Sequence, residues 1–336
     1  MRVDSPVPFN RPVRGSRTKR TFWQRLHVSL WKRLNILGGP AIALVRAVER
    51  RLGPSCVPVF LMPVVCLDFV RRLVDYAEFK KLRTILPPAF WRGLGPGRHL
   101  FIMARNWDSL LTAVFFSDRL GEPGWARRIR IRGTRPDELP EFGWRPIILA
   151  TLHTGSYPLL HYWFRAHRVR ATCYWAGDPL IFRTRWAQRI FAQADRVNGM
   201  EGVSRMFLPH QLRAALQFLV PGHILSLPID APSTTSAAYH ANGHEIWLSQ
   251  GVVHLAEASG ALLVPVSVVN EGVARFEIRF GTPVPDALID KHNPRPAIQY
   301  LLDHLWQDVE EEPSRIGWNS LLTLDPYSKP HHIPWP

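Results

Sequence analysis

The chain has 336 residues, 46% of them hydrophobic and 21% charged. This composition excludes a disordered chain, and the length suits one large domain or two ordinary ones. The three cysteines are too few and too scattered for a disulfide framework or a cysteine-based zinc site. We therefore expect reduced thiols in a cytosol-facing protein.

The positive charge is concentrated at the beginning of the chain. Residues 1–50 hold 11 Lys and Arg and only two acids, which is nine of the 15 net positive charges. The remaining residues carry only +6, and a basic arm on such a body predicts a polyanionic partner, either anionic lipid or nucleic acid. The 13 tryptophans favour lipid, because indole rings settle at the membrane–water interface. We expect no nucleic-acid partner, since no recognised binding signature is present and the charge lies in a tail.

The N-terminal region is predicted to be helical and membrane-associating. Residues 1–20 read as a disordered basic tail without the apolar core of a secretory signal. Residues 21–37 place apolar side chains at helical spacing beside basic ones, which is typical of a membrane-surface helix. A core-packing helix with a solvated basic face is the alternative. The most apolar stretch, Ser55–Val70, is too short and too interrupted by proline to span a membrane.

From about residue 140 the pattern changes to an alternation of strands and helices. Strands are predicted at 145–153, 171–177, 223–230, 261–270 and 274–285. Helices are predicted at 158–169, 180–194, 203–220, 247–260 and 297–312. Such alternation predicts an α/β fold with a mostly parallel sheet flanked by helices. The expected organisation is a tail at 1–20, a helical amphipathic region at 21–94, an α/β domain at 95–320 and a C-terminal tail at 321–336.

The candidate catalytic residues lie at the junction between the first of these strands and the helix that follows it. His153 follows the apolar run 145–152, and a helical pattern begins at Pro158. Open α/β folds bind their ligands at the carboxyl ends of sheet strands, where this side chain would lie. Gly155 permits a tight turn and close approach of a ligand. His153 is therefore a candidate catalytic residue, with a packed or capping histidine as the alternative.

Four separated blocks resemble the lysophospholipid acyltransferase superfamily, and within it the branch of bacterial lipid A lauroyl/myristoyl acyltransferases. The first is HTGSYP at 153–158, where the family carries a His-x4-Asp/Glu motif. The second is FAQADRVNG, which offers Arg196, and the third is ALQFLVPGHILSLPIDAP, which supplies Asp230. The fourth and most specific is LAEASGALLVP at 255–265. The resemblance covers roughly residues 95–320.

The resemblance implies an O-acyltransferase with His153 as general base. It would move a fatty acyl chain from acyl carrier protein or acyl-CoA to a hydroxyl of a lipid or glycolipid acceptor such as a lipid A precursor. Gly155, Ser156 and Tyr157 would lie at the substrate. The enzyme would sit on the cytoplasmic face of a bacterial inner membrane, peripheral or monotopic, and would need no metal or redox cofactor.

Three arginines are candidate phosphate ligands. Arg196, Arg205 and Arg213 would hold the phosphate of the acceptor or of the carrier's phosphopantetheine, since a guanidinium suits bidentate phosphate contacts. For Arg205 and Arg213, a solvated helix face is the favoured alternative.

One position departs from the family pattern. The motif acid, five residues after His153, is replaced by Pro158, which can neither orient the imidazole nor stabilise its cation. Three explanations stay open. Asp230 takes over the orienting role, or a backbone carbonyl or Tyr157 does so, or the chain is a non-catalytic relative that binds lipid or acyl carrier protein.

Overall fold

The computed structural model describes residues 43–56, 116, 119–152, 157, 159–174, 206–207, 211–230, 235–241, 244–272 and 274–311. The predicted domain boundaries near residues 20, 94 and 320 lie outside these ranges, and so does the predicted helix at 21–37. Residues 43–52 are helical (α1) and lead into a 3-10 turn at Pro54–Cys56. No helix in the described ranges is long and apolar enough to cross a membrane.

The described residues form one seven-stranded sheet and a separate hairpin. The sheet strands are β1 (Ile129–Arg132), β2 (Ile147–Thr151), β3 (Arg170–Tyr174), β4 (Met206–Phe207), β5 (His223–Pro228), β8 (Leu262–Gly272) and β9 (Arg275–Phe280). Their order across the sheet is β1-β9-β8-β2-β5-β3-β4. The hairpin consists of β6 (Ser236–Ala241) and β7 (His244–Ser249), which pair antiparallel.

The sheet is mostly parallel, as the alternation of strands and helices predicts. Strands β2, β3, β4, β5 and β8 run in one direction. Strand β9 is antiparallel to β8, and β1 is parallel to β9. Strand β8 pairs with β2 over Leu262–Pro265 and with β9 from Val266 onward. Its second half therefore extends beyond the carboxyl end of β2, alongside the amino ends of β9 and β1.

Helices cover both faces of the sheet. They are α2 (Pro123–Ala126), α3 (Leu159–Ala166), α4 (Leu212–Phe218), α5 (Gly251–Ser259) and α6 (Arg295–Glu311). In β2, Ile148 and Ala150 belong to a core shared with α4, α5 and α6, whereas Ile147 and Leu149 belong to a core shared with α2 and α3. This alternation follows from the two-residue period of a strand. Because β2 is buried on both faces, it reads as a continuous apolar run.

Two predicted helices are shorter than the sequence pattern indicates. The helix predicted at 203–220 contains an edge strand, because Met206 and Phe207 pair with β3, and the α-helix in the described part of this stretch is Leu212–Phe218. The helix predicted at 247–260 begins at Gly251, since Trp247 lies in β7. Gly260 ends this helix in the left-handed region with φ of 64°, a conformation that glycine adopts without strain.

Candidate active site

The site lies between two adjacent central strands, β2 and β5, at their carboxyl ends. Thr151, the last residue of β2, pairs with Pro228, the last residue of β5. One residue further, the backbone N–H of Ile229 donates a hydrogen bond to the Thr151 carbonyl over 2.8 Å. This bond belongs to the Thr151–Pro228 pair, and Asp230 is the second residue after Pro228. The pairing of β2 with β5 therefore places Asp230 at the edge of the sheet where β2 ends.

Asp230 is buried in a largely apolar setting. Its exposed fraction is 3%, and its chain neighbours Leu227 and Ile229 belong to the core. A carboxylate is costly to bury unless it is hydrogen-bonded or paired, so a buried acid at a strand terminus is typical of a functional site. The resemblance of the third block selected Asp230, and the structure places this residue two positions after the end of β5.

Tyr157 is electrostatically coupled to Asp230. Burial raises the pKa of the Tyr157 phenol well above its usual value of 10, and the nearby negative charge of Asp230 raises it further, as does Cys173. The phenol therefore stays protonated and is able to donate a hydrogen bond at any pH near neutrality. Of the residues that the sequence assigns to the site, Tyr157 and Asp230 are the two that the described structure brings together.

Cys173 in β3 is the sulfur nearest to this group, and its environment excludes a nucleophilic role. It is a free, buried cysteine, and burial raises the pKa of its thiol to about 12. Only the thiolate is an effective nucleophile, so a thiol with this pKa is inert at neutral pH. The chemistry at this edge must therefore come from the other groups.

The remaining predicted site residues divide into two sets. Arg213 is exposed in the first turn of α4, and within the described ranges its side chain forms no ion pair. This placement agrees with the alternative of a solvated helix face. The other predicted residues lie outside the described residues: His153, Gly155, Ser156, Arg196 and Arg205.

His161 is a buried polar group that sequence reasoning did not select. It lies in α3, its exposed fraction is 4%, and its Nε2 has no hydrogen-bond partner in the described structure. Burial lowers the pKa of its imidazole to about 3, so the ring is neutral at physiological pH. An imidazole with so low a pKa is a weak general base. The sequence does contain a signal for this burial, because α3 is apolar on nearly all of its faces and such a helix is buried on every side.

No group of three or more His, Cys, Asp or Glu side chains within the described ranges is arranged to hold a metal ion. His240 and His244 are four residues apart, and His240 lies exposed on β6. Ala241 pairs with His244 in the antiparallel hairpin, so the two histidines do not share one face of a helix.

Comparison with known proteins finds likeness among solved structures and none by sequence. The sequence matches no family of known proteins and none of the curated proteins. Among solved structures, the chain is similar to the 1-acyl-sn-glycerophosphate (LPA) acyltransferase PlsC from Thermotoga maritima. The match has 14% identity and a TM-score of 0.37, and it covers 76% of this chain and 98% of that one.

Proposed function

We propose that the chain is an O-acyltransferase with His153 as general base and Asp230 as the acid that orients it. The reaction moves a fatty acyl chain from acyl carrier protein or acyl-CoA to a hydroxyl of a lipid or glycolipid acceptor of the lipid A type. The proposed location is the cytoplasmic face of a bacterial inner membrane. Support comes from the four sequence blocks and from the position of Asp230.

The observation that carries the proposal is the register of β2 and β5. Thr151 pairs with Pro228, and the hydrogen bond from the Ile229 N–H to the Thr151 carbonyl is part of that pairing. His153 and Asp230 each stand two residues after this pair in the sequence, so we expect the register, if extended, to put them opposite each other. Paired residues on adjacent strands lie about 5 Å apart, within reach of a hydrogen bond between a carboxylate and an imidazole. A carboxylate from the neighbouring strand would thus compensate for Pro158.

In the proposed reaction, the imidazole of His153 accepts the proton of the acceptor hydroxyl as the oxygen attacks the thioester carbonyl. Collapse of the tetrahedral intermediate forms the ester and expels the thiolate, which takes the proton back from the imidazolium. No covalent enzyme intermediate forms. Asp230 would hold the imidazole in one tautomer and stabilise its cation while the proton is on the ring.

The test is acyl transfer by purified protein into a bacterial lipid extract, with labelled acyl carrier protein and acyl-CoA offered separately as donors. We expect His153→Ala to abolish transfer and Asp230→Asn to lower kcat by about 10²–10⁴-fold. The matched controls are the exposed residues His254→Ala in α5 and Asp303→Asn in α6, which should keep full activity.

Two results would overturn the assignment. Acyl transfer that survives His153→Ala would show that His153 is not the general base. No transfer from either donor by the wild type, with lipid or carrier-protein binding intact, would favour the non-catalytic relative that Pro158 suggests.

A further inference from the structure

A second site is formed by arginines on and before β1 and at the start of β9, the two strands at one side of the sheet, away from β5 and Asp230. Four guanidinium groups line a cleft of about 640 Å³: Arg127 and Arg128 before β1, Arg130 within it, and Arg275 at the start of β9. The other walls are the segment Leu52–Ser55 after α1, with Gly124, Glu271 and Phe276. We call this the arginine cleft. None of its residues belongs to the four sequence blocks.

The arginine cleft carries more positive charge than its own acids neutralise. Arg130 donates to Glu271 over 2.9 Å and also contacts Glu277 over 3.1 Å. Glu271 is the one acid among the lining residues, and the buried Glu277 is already shared with Arg279. Among the described residues, Arg127 and Arg275 are therefore the two lining guanidinium groups for which the lining supplies no second carboxylate.

Two of these arginines are available to a ligand. Within the described ranges, Arg127 and Arg275 form no ion pair, and the Nε of Arg127 donates only to the Pro123 carbonyl over 3.1 Å. Arg128 is held in position, since it donates to the Ser55 hydroxyl over 2.5 Å. A cleft with fixed and available guanidinium groups side by side suits the tetrahedral oxygens of a phosphate, which accept bidentate bonds from arginine.

The arginine cleft opens at the same edge of the sheet as the candidate active site. Val266 is the residue of β8 that follows the last pair with β2, and Glu271 lies five residues further along the same strand. At about 3.3 Å per residue, the cleft is roughly 16 Å beyond the level at which β2 ends.

We propose that the arginine cleft binds the phosphate group of an ester, either a phospholipid headgroup or a free phosphate ester. Leu52 lines the cleft and is 68% exposed, and Leu44 on the same helix is 61% exposed. Exposed leucines beside arginines combine the apolar contact and the charge attraction that anionic lipid surfaces select. This inference goes beyond the proposed acyl transfer and does not depend on it.

The test is binding by the full-length chain of two probes, glycerol 3-phosphate and phosphatidylcholine vesicles that contain or lack phosphatidic acid. The variant Arg127→Gln/Arg275→Gln should weaken binding by about tenfold or more, since bonds to charged groups are lost. Arg127→Lys/Arg275→Lys keeps the charge and loses the planar fork, so we expect an intermediate loss. The control Arg132→Gln/Arg168→Gln removes two exposed charges outside the cleft and should bind as wild type.

The two probes identify the source of the phosphate. Loss of glycerol 3-phosphate binding in the cleft variant indicates a free ester, and loss confined to phosphatidic acid vesicles indicates a lipid headgroup. Equal loss in the control variant, or no binding of either probe by the wild type, overturns the proposal. His153→Ala should leave binding unchanged, so failure of the proposed catalysis and failure of the arginine cleft are separate results.

Discussion

The carbonyl of Thr151 accepts a hydrogen bond from the backbone N–H of Ile229 over 2.8 Å, just beyond the last paired residues of β2 and β5. This bond keeps the two chains in register at the point where both leave the sheet. As a result, the buried Asp230 lies next to the carboxyl end of β2, and not one residue earlier or later along its own chain. A shift of one residue would point its carboxylate to the opposite face.

Tyr157→Phe distinguishes the two candidate orienting groups. If Asp230 orients His153, loss of the phenol hydroxyl should lower kcat by less than about tenfold, because it removes one neutral hydrogen bond. Acyl-transfer rates of Tyr157→Phe and Asp230→Asn, measured side by side, check this. If Tyr157→Phe loses as much activity as Asp230→Asn, the assignment of Asp230 as the sole group that orients His153 is wrong, and Tyr157 takes part in that role.

His161 should make stability depend on acid pH. Its pKa of about 3 in the folded chain is below the usual value of 6.5, so between these values the unfolded state binds more protons. The free energy of unfolding should be highest above about pH 6.5 and fall, by at most about 1.4 kcal/mol per pH unit, as pH decreases towards 3.

Urea unfolding at a series of pH values measures this dependence. His161→Leu removes the titrating group and should flatten this part of the profile, whereas replacement of the exposed His254 by Gln should leave the slope as it is. An unchanged slope in His161→Leu would show that another group is responsible.

Gly133 is expected to tolerate no side chain. Its φ is +85°, and a Cβ at this position would overlap the carbonyl oxygen of Phe280. Gly133→Ala therefore combines strain in the left-handed region with a backbone clash, and we expect it to lower the free energy of unfolding by about 2 kcal/mol or more. Gly143→Ala, where a Cβ meets nothing within 4 Å, is the matched control and should stay near wild type in thermal unfolding.

Asp308 ties α6 to the sheet. Its carboxylate accepts hydrogen bonds from the Ser267 hydroxyl in β8 and from the Arg279 guanidinium in β9. Asp308→Ala would leave a largely buried cation without this partner, so we expect a loss of about 3 kcal/mol in chemical unfolding. Asp303→Ala, on the exposed side of the same helix, should cost under about 1 kcal/mol. A small effect at both positions would mean that the ion pair does not hold the helix.

The central strands could be predicted and the outer ones could not. Strands β2, β5 and β8 are buried on both faces, so they appear in the sequence as apolar runs that no surface requirement interrupts. Strand β1 alternates isoleucine with arginine at the edge of the sheet, and β4 has only two residues. Neither carries a signal strong enough to distinguish it from a loop or, for β4, from the helix predicted around it.

By itself the sequence determined the mostly parallel α/β core, because apolar periodicity is a local feature, and Asp230 entered through the resemblance of the third block. Only the tertiary structure decided which side chains meet. The register of β2 and β5 sets Asp230 beside the exit towards position 153. The pairing of Ile129 with Phe276 assembles the arginine cleft from segments nearly 150 residues apart. Backbone hydrogen bonds between distant strands create both sites, and no spacing within a single segment encodes such a pairing.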